Sequence, residues 1–214
     1  MKTGSLILVG GVDGVGKSTL IKHLESTEGL NLVGSEPTST PESQVFKINN
    51  LDTVVSTEFV HEREGFYLDL QSLTDQDIDE KMSKGFNVVT SGNCLTTYIS
   101  HTAMRGVLGM EYSPDDILSR YNSGEHLTPD SLIVLHAPLS VMRDRIGDRL
   151  AAGDKSEKPW GFNSPFFLER YQEAWMAVAD VLRTDLDWPV LSYDTSTTRP
   201  NEIVIDYLSK AELN

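Results

Sequence analysis

The sequence predicts an α/β fold, with a five-stranded parallel sheet flanked by helices and a lid segment late in the chain. Three observations carry this. Five short segments are almost continuously apolar, as strands buried on both faces must be. The segments between them show helical spacing, so strand and helix alternate. The first apolar run ends in a glycine loop that leads directly into a helical pattern.

Taken in order, the strands fall at residues 6–9, 32–34, 87–90, 131–135 and 189–192. Helical spacing covers residues 17–25, 59–84, 114–121, 139–151, 165–182 and 201–211. The apolar run from Ser5 to Gly11 follows Lys2 and superficially resembles a signal peptide. It is short and runs straight into the glycine loop, so a buried first strand accounts for it better. The chain reads as one domain, residues 1–214, without repeats or a linker. No run is long enough to span a membrane, and the expected location is cytoplasmic.

The glycine loop reads Gly11, Val12, Asp13, Gly14, Val15, Gly16, Lys17, Ser18, which is the pattern GxxxxGKS. Its glycines let the backbone curl until successive N–H groups point inward, and the helix start adds partial positive charge. Lys17 is placed to reach β- and γ-phosphates, and the Ser18 hydroxyl to ligate Mg²⁺. The loop therefore predicts a nucleoside triphosphate, ATP, as a bound cofactor. Neither an NKxD guanine motif nor a DxxG switch is evident. A chain of this size with a lid is better suited to a small-molecule kinase than to a GTPase or a motor.

Composition narrows the partners. A formal charge of −14 argues against a protein held on nucleic acid by bulk charge. Cys94 is the single cysteine, which excludes an internal disulfide and reads as a small packing residue. The five histidines lack zinc-ligand spacing, and the acidic run at residues 75–80 reads as a solvated helix face. The polar stretch 151–163 follows a helix bearing Arg145 and Arg149, and reads as the mobile part of a lid spanning about 145–163.

The loop through Thr19 resembles that of thymidylate kinases, which carry an acidic residue before the second glycine. Further stretches are similar in the same order: Glu36-Pro37 after the second strand, His126-Leu127-Thr128-Pro129-Asp130 before the fourth, and Arg145 with Arg149. The helix from Phe166 to Trp175 and the pair Asp194-Thr195 complete the set. The resemblance implies a P-loop kinase that acts on a deoxypyrimidine nucleotide, commonly as a homodimer. It implies that Asp13 binds a deoxyribose 3′-hydroxyl and that Glu36 is a substrate-binding carboxylate. Phe66 and Tyr67 are each placed either to stack on a base or to join the core; the resemblance favours Phe66 for stacking, with Tyr98 lining the same pocket. Gly14 lies where some members keep an arginine, so the charge on the transferring phosphoryl group would be met by Arg145, Arg149, Lys155 or Lys158.

Two family features are missing. Where thymidylate kinases have Asp-Arg after the third strand, this chain has Ser91-Gly92-Asn93. The arginine expected on the preceding long helix falls among Leu68, Asp69, Leu70 and Gln71. Both arginines hold the acceptor's phosphate, a task for which Arg105 is a partial substitute. Three readings follow: a monophosphate kinase with substitute ligands, a kinase directed at a hydroxyl, and a non-catalytic nucleotide-binding regulator. The hydroxyl would belong to a nucleoside, with Glu36 as general base, or to a hydroxymethylated pyrimidine such as 5-hydroxymethyluracil in phage DNA. DNA is a partner only under that last reading.

Overall fold

The computed structural model describes residues 4–34, 60–107, 109, 113–124, 126–153 and 165–210. Glu36, Lys155, Lys158 and Trp160 lie outside the described residues, as does the lid beyond Gly153.

Five strands form the sheet: β1 (Leu6–Gly10), β2 (Leu32–Gly34), β3 (Asn87–Thr90), β4 (Ser131–His136) and β5 (Val190–Asp194). They are all parallel, in the order β2-β3-β1-β4-β5. β1 is central, and all five of its residues are buried, which is why it reads as an unbroken apolar run. Ile7 lies beside Val89 on one side, and Val9 beside Ile133 on the other. Its first amides are fixed by side chains: Ser5 N–H donates to Asn87 Oδ1 (2.9 Å) and Leu6 N–H to Asp130 Oδ2 (2.7 Å). The Pro-Asp preface to β4 thus sets the start of β1.

The chain leaves β1 for β2 in one direction and β3 for β4 in the other. The connections therefore diverge between β1 and β3, where an open parallel sheet has its crevice.

Seven helices are described: α1 (Lys17–Glu25), α2 (Val60–Ser83), α3 (Cys94–Val107), α4 (Pro114–Asn122), α5 (Leu139–Ala151), α6 (Pro165–Thr184) and α7 (Pro200–Lys210). α1 packs against β2, β3 and α7, whereas α3 packs against α2, α4 and α6 in a separate layer. Ser113 starts α4 with a reciprocal capping box to Asp116, and Pro114 occupies the first turn. Among the described residues no helix is long and apolar enough to cross a membrane.

α3 is the element that periodicity did not predict. Nine of its residues are buried, from Cys94 to Met104, and three of them, Thr97, His101 and Thr102, are polar, so its polar positions do not mark a solvent face. It also begins with Thr96, Thr97 and Ile99, residues whose branched side chains favour strands. Its one local signal is Asn93, whose Oδ1 accepts from Thr96 N–H at 3.1 Å as an N-cap.

Trp175 on α6 is 1% exposed and lies against the end of β1. A Cβ on Gly10 would fall 2.5 Å from the indole ring, so only glycine permits this approach. We expect Gly10→Ala to destabilise the protein by about 1–3 kcal/mol, the usual result of overpacking, read as a lower urea midpoint at unchanged slope.

Candidate active site

β1 delivers its chain into the loop at the crevice. Gly11, Gly14 and Gly16 have φ of 131°, 84° and 97°, a conformation natural to glycine and strained for other residues. A Cβ at Gly14 would also lie 2.8 Å from the Met142 carbonyl oxygen, so the loop has no room there for an arginine. α1 starts at Lys17, and its N-cap, Gly16, offers no side-chain hydrogen bond. The first-turn amides are thus left to an external acceptor. Lys17 Nζ donates to the Gly11 and Val12 carbonyls at 2.9 and 2.8 Å and lies 3.6 Å from Asp13 Oδ1. Ser18 and Thr19 are exposed at the helix start.

A cavity of about 280 Å³ opens on one side of this loop. Asp13 and Lys17 line it from the loop, and Ser91 and Gly92 from the end of β3. α2 contributes Arg63, Tyr67 and Gln71, a stripe at i, i+4 and i+8 on one helix face. Phe66 is not on that face. Of the two neighbouring aromatic residues, Tyr67 lines the cavity and Phe66 does not. Phe66 is 5% exposed, packs with Leu70, and meets Tyr67 edge-on at 5.3 Å. The aromatic wall is therefore Tyr67. Burial pushes its phenol up, the Arg63 cation pulls it down, and Asp13 pushes it up again. The Arg63 guanidinium sits 5.2 Å from the centre of the Tyr67 ring.

α3 closes the cavity with Thr97, Ser100 and His101, and α6 supplies Phe167 and Tyr171. Tyr98 faces elsewhere. Its ring lies under the Arg120 guanidinium at 4.7 Å, and its hydroxyl is 3.2 Å from His126 Nε2. Arg105 is likewise directed away from the cavity. It pairs with Glu64, which also binds Arg120, so one buried carboxylate links α2, α3 and α4. Neither Tyr98 nor Arg105 lines the cavity that the sequence assigned to them.

On the other side of the loop a second cavity of about 220 Å³ is lined by Val15, Gly16, Thr19, Arg145, Thr195 and Thr198, among others. Arg145 spans its rim. Its Nη1 donates to the Gly14 carbonyl (3.1 Å) and Thr195 Oγ1 (3.0 Å), and its Nη2 to the Thr195 carbonyl (2.8 Å). The glycine loop is thereby clamped to the turn after β5. Arg149 lies one helical turn further along α5 and is half-buried.

Among the described residues one group has possible metal-ligand atoms close together. Asp75, Cys94 and His126 bring possible ligand atoms within 4.8 Å of one another. Burial, and then the Asp75 charge, pushes the Cys94 thiol up to about 12, so it remains protonated at neutral pH. Burial also pushes the Asp75 carboxyl up to about 6, opposed by a hydrogen bond from the Leu127 backbone.

Sequence reasoning missed Arg63, Gln71, Thr97, His101 and Tyr171 as cavity residues, and it set Tyr67 second to Phe66. The i, i+4, i+8 spacing from Arg63 through Tyr67 to Gln71 was the available signal on α2. The residues on α3 had none while that helix itself went unrecognised.

A parallel sheet with a glycine-lysine loop between two cavities defines a P-loop phosphotransferase. The comparisons agree. No family model matches the chain. It is 35% identical over 151 residues to the thymidylate kinase of Desulfotalea psychrophila (strain LSv54 / DSM 12343), covering 67% of this chain and 68% of that protein. The thymidylate kinase structure from Candida albicans has a TM-score of 0.67 at 13% identity, covering 97% of this chain and 90% of that one. Deoxyadenosine kinase from M. mycoides with bound dATP gives 0.63 at 17%, covering 95% and 99%. The two structures share the fold. The chain belongs to the thymidylate kinase family, and it is a phosphotransferase.

The Asp75 environment gives a pH test. Its folded pKa is raised, so the associated stability is present below the unfolded value of 3.8 and lost as pH rises through about 6. Asp75→Asn should therefore be more stable than the parent by about 1–2 kcal/mol at pH 8 and no more stable at pH 4, by urea unfolding at both.

Proposed function

We propose that this kinase transfers the γ-phosphoryl group of ATP to a hydroxyl of a neutral deoxypyrimidine-type acceptor held in the larger cavity. The observation that carries this is the lining that the end of β3 and α2 give the cavity. Gln71, Ser91 and Gly92 are all uncharged, where a dianionic monophosphate leaving water needs cations. Arg63 is the cavity's other cation, but it lies two turns from Gln71, about 12 Å along α2.

The loop is suited to the donor. Its positive-φ glycines, the uncapped start of α1 and Lys17 folded over its carbonyls form a cradle for a polyphosphate. On binding, Lys17 would exchange the Gly11 and Val12 carbonyls for β- and γ-phosphoryl oxygens. Ser18, exposed at the helix start, is the residue to hold Mg²⁺, which would neutralise charge on those oxygens. The smaller cavity suits the donor's base. There Arg145 fixes the Gly14 carbonyl and the Thr195 turn in position, with Arg149 one turn away. Asp13 stands at the mouth of the acceptor cavity, where it can accept from an acceptor hydroxyl. Glu36 remains our candidate base, taking the proton that the attacking hydroxyl gives up.

A second reading, transfer to a deoxypyrimidine monophosphate, is favoured by the 35% identity to a thymidylate kinase. Under that reading Arg63 would be the acceptor's cation.

Labelled ATP offered with nucleosides, nucleoside monophosphates, and DNA with or without hydroxymethylated pyrimidines separates the two. We expect label on a hydroxyl acceptor; label on monophosphates alone would establish the second reading. Lys17→Ala should lower transfer by at least about 100-fold with the fold retained by circular dichroism. Arg145→Ala should raise the KM for ATP by roughly tenfold or more, because it removes charged hydrogen bonds that hold the loop. An unchanged KM would separate Arg145 from the donor site.

A further inference from the structure

We propose that His101 is a specificity-determining residue of the acceptor cavity, its Nε2 serving as a fixed hydrogen-bond acceptor for an N–H on the pairing edge of a pyrimidine. The inference rests on the larger cavity being the acceptor site, and it names a property of that site.

The ring's orientation follows from one contact. His101 Nδ1 lies 2.9 Å from the Thr97 carbonyl oxygen, one turn back on α3. A carbonyl only accepts, so Nδ1 carries the proton and Nε2 carries the lone pair. The Ser100 hydroxyl, 3.2 Å from Nδ1, donates to the same carbonyl at 3.0 Å and reinforces that side. With Nδ1 turned back onto its own helix, Nε2 points away from it.

His101 is 2% exposed and lines the cavity, and its Nε2 is itself shut off from solvent and makes no hydrogen bond to any described residue, so a ligand meets it once the neighbouring side chains shift. A buried acceptor left without a donor is unfavourable, and a ligand that supplies one is selected over a ligand that does not. The ring also stays neutral: burial pushes the imidazole down to about 4, outweighing the Thr97 carbonyl and Glu64, while Arg63 and Arg105 push the same way as burial. A protonated ring would offer a donor instead and reverse the selection.

The neighbours indicate a planar ligand. Tyr67 lies 5.8 Å from the imidazole, ring centre to ring centre, and forms the adjoining wall. Gln71, on α2, is 3% exposed, and its Oε1 also lacks a hydrogen bond to any described residue. An amide can turn over to present either its oxygen or its NH₂, whereas the imidazole is locked by Thr97. Gln71 therefore adapts to whichever group flanks the N–H, and His101 decides. The matching edge is a pyrimidine ring N–H, or an exocyclic amine, next to an acceptor atom.

The test uses binding rather than turnover. Isothermal titration of the full chain with thymidine and N3-methylthymidine, and with deoxycytidine and its N4,N4-dimethyl derivative, measures the preference for the N–H. In the parent protein, at least one of the two pairs should differ by about tenfold or more. His101→Phe should bring that ratio close to one, and His101→Gln, which keeps an acceptor at the tip, should retain most of it. An undiminished ratio in His101→Phe would overturn the proposal. If that variant does not fold, ¹⁵N spectra of the parent imidazole decide. An unprotonated Nε2 signal that shifts on adding thymidine or deoxycytidine supports the assignment, and a protonated or unresponsive one refutes it. Failure of phosphoryl transfer would leave these ratios readable, and transfer with an undiminished ratio would refute only the role of His101.

Discussion

The sheet's carboxyl edge is organised around residues 10–16, a piece of backbone that must present its amides outward and so has few side chains with which to anchor itself. Its anchors come from elsewhere. Trp175 packs beneath Gly10, Met142 fills the space where a Gly14 side chain would go, and Arg145 binds the Gly14 carbonyl. Lys17 ties the loop to the start of α1 through two carbonyls. These contacts come from α6, α5 and α1, so three helices are positioned by what a bare loop requires.

The same constraint shapes the two cavities. Because the loop lies at the crevice between β1 and β3, whatever follows β3 becomes the opposite wall. Here that is Ser91, Gly92 and then α3, a helix buried on nearly all sides. A helix so enclosed can put Thr97 and His101 into a cavity only by leaving some polar atoms without protein partners. His101 Nε2 is such an atom. The Glu64 carboxylate of the same layer is matched, shared by Arg105 and Arg120. Of the unmatched buried atoms, His101 Nε2 and Gln71 Oε1 belong to residues that line the cavity, where a ligand can be the partner.

The features legible in the sequence were those with a local cause. The strands were legible because burial on both faces demands continuous apolar runs, and the loop because its glycines, lysine and serine have fixed spacing. α4 was legible from the helical spacing over residues 114–121. α3 was not, since polar residues such as Thr97 and His101 are buried in it and its threonines and isoleucine suggest a strand. Phe66 and Tyr67 show a finer limit: the sequence gives the helix but not its phase, and only the Arg63–Tyr67–Gln71 stripe fixes which aromatic faces inward. Arg145 was readable as a cation near phosphates. Its bonds to Gly14 and Thr195, 131 and 50 positions distant, were not readable, because no local pattern encodes a contact between loops.

Charge sharpens the question of the acceptor. The chain carries a formal −14, so its general field repels nucleotides, and attraction has to be local. At the glycine loop it is concentrated in Lys17, the start of α1 and Arg145. In the larger cavity Gln71, Ser91 and Gly92 are neutral, Arg63 is the cation on α2, and Asp13 adds a largely exposed carboxylate. Two unit charges 4 Å apart interact by about 4 kcal/mol at an effective dielectric of 20, whereas a neutral hydrogen bond returns about 1 kcal/mol. Gln71 and Ser91 therefore do not replace two arginines for a dianion. For a neutral hydroxyl nothing is lost, and uncharged groups that accept and donate are the better lining. The departures from the family pattern at Gln71 and Ser91-Gly92 thus fit a site whose acceptor does not bring a phosphate of its own to this wall.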